Sequence, residues 1–206
     1  TIEPDDVLLP GSPHPVGGFL HGGYQMQGAG WRGSGAIAAR VGDFASLLGV
    51  AGFHNNLFRD GHDNIIPFTG DNASTVMGRL QWRPGFHRFD LSALHFQDDH
   101  QIPISANTAT TTSVTDRRTE QQALSARWSW ADPGMPLLNP QVVVYRNRVR
   151  LAEQRLTGSR ALDSTELVPT GLDLQNTSRF GLFGWDRHVL TIGMELYRDG
   201  QEGGQN

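Results

Sequence analysis

The chain has 206 residues, no cysteine, 25 glycines, 11 prolines and a formal net charge of -4. Without cysteine there is no disulfide framework and no thiolate metal site, and the mild acidity leaves no nucleic-acid footprint. No apolar run reaches the roughly 18 residues of a membrane-spanning helix, which does not exclude a membrane crossed by strands of about 10 alternating residues.

Residues 1–17 are rich in Pro and Gly and read as a linker. No initiator Met or leader precedes them, and the chain stops at Gly203-Gly204-Gln205-Asn206 straight after a strand, so it reads as a piece of a longer protein. Nine strands are expected in 18–206, at about 18–27, 34–41, 44–55, 74–83, 86–96, 121–131, 140–151, 167–181 and 187–198. Successive side chains of a strand point to opposite faces. Val76, Gly78, Leu80 and Trp82 therefore oppose Thr75, Met77, Arg79 and Gln81; Leu124, Ala126, Trp128 and Trp130 oppose Ser125, Arg127 and Ser129. Near the C-terminus Leu172, Leu174, Asn176, Ser178 and Phe180 oppose Asp173, Gln175, Thr177 and Arg179, and Leu190, Ile192, Met194 and Leu196 oppose Thr191, Gly193, Glu195 and Tyr197. The run from Phe44 to Phe53 is apolar on both faces and does not declare its orientation.

Short and long connections take turns. Val41-Gly42-Asp43, Arg83-Pro84-Gly85 and Gly184-Trp185-Asp186 are tight turns. Polar loops are expected at about 56–73, 97–120 and 152–166, and Ala131 to Pro136 makes a somewhat longer turn. This rhythm is that of an outer-membrane barrel. Arg79, Arg88, Asp90, Arg127, Arg146, Arg148, Asp173, Arg179 and Glu195 are expected to point into the lumen, and Trp82, Trp128, Trp130 and Phe180 to face outward near strand ends. A soluble β-sandwich also alternates, but it gives no reason to gather so many arginines on one face. The fold class is thus all-β, an antiparallel meander of about nine strands forming part of a transmembrane β-barrel.

Gly28-Ala29-Gly30-Trp31-Arg32-Gly33 matches G-x-G-x-x-G, and Ser34 to Gly52 could pass as a helix. That pattern supplies a second reading, a soluble nucleotide-binding enzyme. Gly42-Asp43 breaks the helix, and no second βαβ unit follows. A glycine-rich hairpin is the simpler reading. No catalytic triad, paired carboxylate or zinc spacing stands out, so no enzyme and no resident metal are expected.

Four stretches carry a family resemblance. They are Gly23-Tyr24 with Arg40-Val41-Gly42-Asp43; Asn55 to Gly61 leading into Ser74 to Pro84; His87 to Ser92 with Asp98-Asp99 and Pro103; and Leu172 to Phe180 with Leu190 to Glu195 and Tyr197-Arg198-Asp199. On these the chain resembles the early barrel of TonB-dependent outer-membrane receptors, most closely the haem and haemoglobin receptor branch. The resemblance implies a barrel of about 22 strands around an N-terminal plug. It implies uptake of haem, free or from haemoproteins, or alternatively of a ferric siderophore, across the outer membrane of a Gram-negative bacterium. No cofactor would be intrinsic; haem or an iron chelate would be cargo. The TonB complex would act through a plug that this chain lacks, and membrane lipid would cover the outer barrel face.

Haem iron takes imidazole ligands. His54, at an outer strand end, and His62 and His100, in expected long loops, are the candidate ligand-binding residues; His87 and His188 sit by short turns at the opposite end. The resemblance implies one axial ligand from the plug and one from a later loop, so these histidines would serve the extracellular loops. Asp60-Gly61-His62-Asp63-Asn64 gathers oxygen ligands but lacks calcium-loop spacing, and reads as a solvated loop.

Overall fold

A computed structural model describes residues 2–8, 14–103, 114–157, 161–182 and 185–205. Among these, one antiparallel sheet of eleven hydrogen-bonded segments dominates. Two pairs of segments are collinear, so the sheet is a meander of nine runs. These are β1 (Val16–Gln25), β2 (Gly30–Val41), β3 (Phe44–Asn55), β4 (Asp71–Trp82), β5 (His87–Pro103), β6 (Val114–Trp130), β7 (Pro140–Arg155), β8 (Leu162–Leu167 and Thr170–Leu182) and β9 (Trp185–Arg198 and Gln201–Gln205). Each run pairs with the next, as the alternating pattern leads one to expect.

The breaks in β8 and β9 have a local cause. Pro169 has no N–H to give the ladder, and Val168 N donates to Gly200 O at 2.8 Å, so the two irregularities face each other. The tight turns are closed by glycines in the left-handed region, Gly42 at φ 56° and Gly85 at φ 58°. Gly184, in the third expected turn, lies outside the described residues.

The alternative reading fails here, and one expectation is corrected. Ser34 to Gly52 is no helix: it spans parts of β2 and β3, paired from Trp31↔His54 to Val41↔Phe44. The Gly28 to Gly33 stretch is a turn followed by the start of β2, without the strand–turn–helix a dinucleotide site requires, so the nucleotide-binding reading fails. The expected 97–120 loop is largely strand as well. β5 and β6 are 17 residues each, paired as far as Pro103↔Val114. At about 3.3 Å per residue they far exceed the 9–11 residues a bilayer needs. The excess is zipped by cross-strand polar pairs: Asp99–Arg118 at 2.6 Å and Gln101–Asp116 at 2.9 Å on one face, and Arg117–Glu153 at 2.7 Å on the other. Polar residues on both faces looked like loop for that reason.

Register carries each face across the whole sheet. Arg40, Ala45, Gln81, Asp90, Arg127, Val143, Asp173 and Glu195 form one unbroken rung. A helical turn, Pro4–Val7, lies against this face, which we call inner. On the outer face run Ala39, Ser46, Leu80, Leu91, Ala126, Val144, Leu172 and Leu196. Leu80 stays 58% exposed and Ile192 66%, an open apolar surface that water does not favour. Toward the short-turn end the outer face carries an aromatic stack. Phe44 and Trp82 lie 5.4 Å apart, Trp82 and Phe89 5.3 Å, and His87 bridges Phe89 and Trp128.

Arg146 and Arg148 are a correction: they lie on the outer face. Arg146 pairs with Leu124, so even-numbered β7 residues point outward. Valines occur at both parities of β7, and alternation alone does not orient it. Arg148 forms a bidentate pair with Glu166, with both contacts at 2.8 Å. Asn176 and Ser178, polar yet outer, are covered by the 131–139 turn, whose Leu137 carbonyl accepts from both side chains.

Replacing Leu172 by Arg in the full-length protein should impair barrel assembly by roughly 2–4 kcal/mol of lipid-face penalty. Replacing Gln175, which pairs with Gln141 on the inner face, should be tolerated. The heat-modifiable fraction on a gel reports both; equal tolerance would reverse the faces.

Candidate functional site

The inner face is built around a buried charge network. Asp90, 5% exposed, receives Arg88 Nε at 2.8 Å and Gln81 Nε2 at 2.6 Å, with Arg79 Nη2 at 3.6 Å. Glu3, ahead of the helical turn, completes it with Arg88 at 3.0 Å and Arg79 at 3.4 Å. Asp5 pairs with Arg40, and with Arg83 at 3.0 Å. Val7 packs on Leu47 and on Ala36 and Ala38, whose small side chains let the turn approach the sheet. Part of the expected 1–17 linker is thus docked on the barrel wall. Arg127, Asp173, Arg179 and Glu195 share this inner face with Arg79, Arg88 and Asp90; Glu195 accepts from Tyr145 Oη at 2.8 Å.

The three candidate histidines are not brought together. His54 pairs with Trp31 and Asn72 on the outer face, its Nε2 3.2 Å from Asn56 Oδ1. It points away from the inner face because β3, ambiguous by sequence, places Leu48, Val50 and His54 outward. His62 sits in the 56–70 connection, which folds as a small ribbon of Phe58–Arg59 against Ile65–Ile66. Asp60 organises that tip: Oδ1 accepts from His62 N at 2.8 Å and Asn64 N at 2.9 Å, and Oδ2 from Asn64 Nδ2 at 3.0 Å. Both carboxylate oxygens are thereby used within the loop, which favours a solvated turn over a cation loop.

His100 lies on the inner face, beyond the apolar band. Its Nδ1 is 2.8 Å from Asp98 Oδ2, and it stands directly opposite Asp71. One ligand atom from each of Asp71, Asp98 and His100 lies within 4.8 Å of the others. Burial, then the adjacent Asp98 carboxylate, pushes the Asp71 carboxyl above its ordinary range. Sequence reasoning missed this group because strand pairing, rather than spacing, joins Asp71 to residues 98 and 100. The segment after Pro103, residues 104–113, lies outside the described residues.

Asp90→Asn should destabilise the barrel by about 3 kcal/mol, since it leaves the buried Arg79 and the half-buried Arg88 short of a carboxylate. Asp5→Asn should lose no more than about 1 kcal/mol, because its pairs are half exposed. Urea unfolding in detergent micelles separates the two. Hydrogen bonds from the Asn64 side chain and from the backbone hold the Asp60 carboxyl below its ordinary value. They stabilise the loop at neutral pH, and that contribution disappears as pH falls through the lowered value. Protection factors at His62 and Asn64, taken relative to the intrinsic exchange rate at each pH, should therefore fall in Asp60→Ala at neutral pH and in wild type only in acid.

No family model and no curated protein matches the sequence. Solved structures do. A double mutant of the Serratia marcescens hemophore receptor HasR, in complex with its hemophore HasA and heme, superposes with TM-score 0.84 and 23% identity, over 100% of this chain and 29% of that one. The FrpB iron transporter from Neisseria meningitidis superposes with TM-score 0.76 and 14% identity, over 98% of this chain and 33% of that one. The chain thus spans about a third or less of either. It has the fold of a barrel segment of TonB-dependent outer-membrane receptors.

Proposed function

We propose that the chain is the early barrel of an outer-membrane receptor that imports haem, free or handed over by a haemoprotein. The observation that carries this reading is the fold likeness over the whole chain to a receptor solved with its hemophore and heme. The apolar outer face, closed below by stacked aromatics, suits membrane lipid. The inner face, charged and partly filled by the Pro4–Val7 turn, suits a lumen that holds a plug. In this reading residues 1–17 join plug to barrel, and the TonB complex acts through that plug. Arg79, Arg88, Asp90, Arg127, Asp173, Arg179 and Glu195 on the inner face line the lumen, in the outer membrane of a Gram-negative cell.

His62 and His100 then belong to the extracellular vestibule, with axial ligation supplied mainly from outside this chain. His54 faces away and contributes least. Binding energy spread over several loops makes each contact individually weak. His62→Ala or His100→Ala in the intact receptor should lower haem-dependent growth only a few-fold. Abolished uptake with a lost Soret shift would make one of them an iron ligand. Growth on a ferric siderophore but not on haem would move the receptor to the siderophore branch; the likeness to FrpB, an iron transporter, leaves an iron cargo other than haem in play.

A further inference from the structure

We infer that Asp71, Asp98 and His100 form a binding site for a divalent transition-metal ion, with zinc the best fit, that clamps the outer ends of β4 and β5. The inference does not depend on which cargo the barrel carries. Its first support is placement. Asp71 and His100 are direct cross-strand partners, and Asp98 is two residues before His100 on the same face. All three ligand atoms already lie within 4.8 Å of one another. They sit on paired strands rather than on a loop, so the ladder positions them before any ion arrives.

The second support is unmet demand. Asp71 Oδ1 is buried with no hydrogen-bond partner. Two carboxylates crowd one imidazole, and the guanidinium that could neutralise them is committed elsewhere: Arg117, opposite His100, is held by Glu153 at 2.7 Å. Among the described residues the other ladder partners on the inner face are neutral, Thr119 opposite Asp98 and Asn55 opposite Asp71. A divalent cation would cancel the charge of the two carboxylates and satisfy the orphan oxygen.

The donor set selects the ion. Calcium prefers six to eight oxygens and magnesium keeps most of its water, whereas one imidazole and two carboxylates with a free position suit zinc. Zinc bonds of about 2.0–2.1 Å put tetrahedral ligands roughly 3.4 Å apart. The contact of 2.8 Å between His100 Nδ1 and Asp98 Oδ2 would open slightly as both atoms turn to the metal.

The test uses the intact receptor, stripped with chelator and titrated with zinc against a chromophoric competitor. Wild type should bind one equivalent more than an Asp71→Asn/His100→Ala variant. Asp98→Asn alone should weaken that site by more than about tenfold, while His62→Ala leaves it unchanged. Cobalt substituted into wild type should show visible d–d absorption that the double variant lacks. Equal stoichiometry and affinity in wild type and variants would overturn the site. Should the variants fail to assemble, crystals of the wild-type receptor soaked in zinc decide the matter. An anomalous peak among these three residues supports the inference, and a peak elsewhere, or none at saturating zinc, overturns it.

Discussion

The constraint on which this chain depends is backbone pairing. Every internal run must give its N–H and C=O groups to neighbours on both sides, and pairing opposes residues one to one. Once a single residue is fixed on one face, the register fixes the side of the others, because a one-residue slip exchanges the faces of a whole strand. The rung from Arg40 through Asp90 to Glu195 shows this propagation over eight runs. Charge on one side and an apolar surface on the other then follow without a conventional core. Among the described residues the buried hydrophobics are few and mostly small, such as Ala36, Ala38 and Ala45.

That absence of bulk gives the N-terminal turn its place. Alanines and glycines on β1 to β3 leave room on the inner face, and the acidic turn meets arginines from β2, β4 and β5 there. A Cβ at Gly17 would stand 2.9 Å from the Val7 carbonyl, so the fit rests on that glycine. The inner arginines and the turn are complementary in charge and neither is complete alone. Asp90 has its donors within the wall, but Arg79 and Arg88 gain a further carboxylate only when Glu3 is docked.

Most of the fold was legible in the sequence because period-two alternation is a local signal. β3 and β4 were located within a few residues, and the turns at Gly42 and Gly85 announced their own left-handed backbones. What stayed hidden was non-local. Val143 and Val149 on the inner side of β7 matched Val142 and Val144 on the outer, so nothing local showed that Arg146 and Arg148 face out. The two apolar faces of β3 concealed the outward turn of His54 in the same way. The far halves of β5 and β6 read as loop because a strand projecting into water carries polar residues on both faces. The Asp71, Asp98 and His100 group was invisible for a related cause: pairing across the 83–86 turn brings together residues that no spacing rule connects.

Pairing also sets what this segment can be by itself. Among the described residues β1 and β9 each pair on one side only, so their outer edges present unused backbone donors and acceptors. In water such edges invite association. In hydrocarbon each unsatisfied group costs several kcal/mol, so a sheet with two free edges is not a viable membrane-spanning structure. The apolar outer face excludes the first environment and the free edges exclude the second. Both demands are met together only when further strands close the sheet. The fold of this chain is therefore conditional: its faces are fixed internally by register, and a membrane-spanning sheet requires partners for the free edges of β1 and β9.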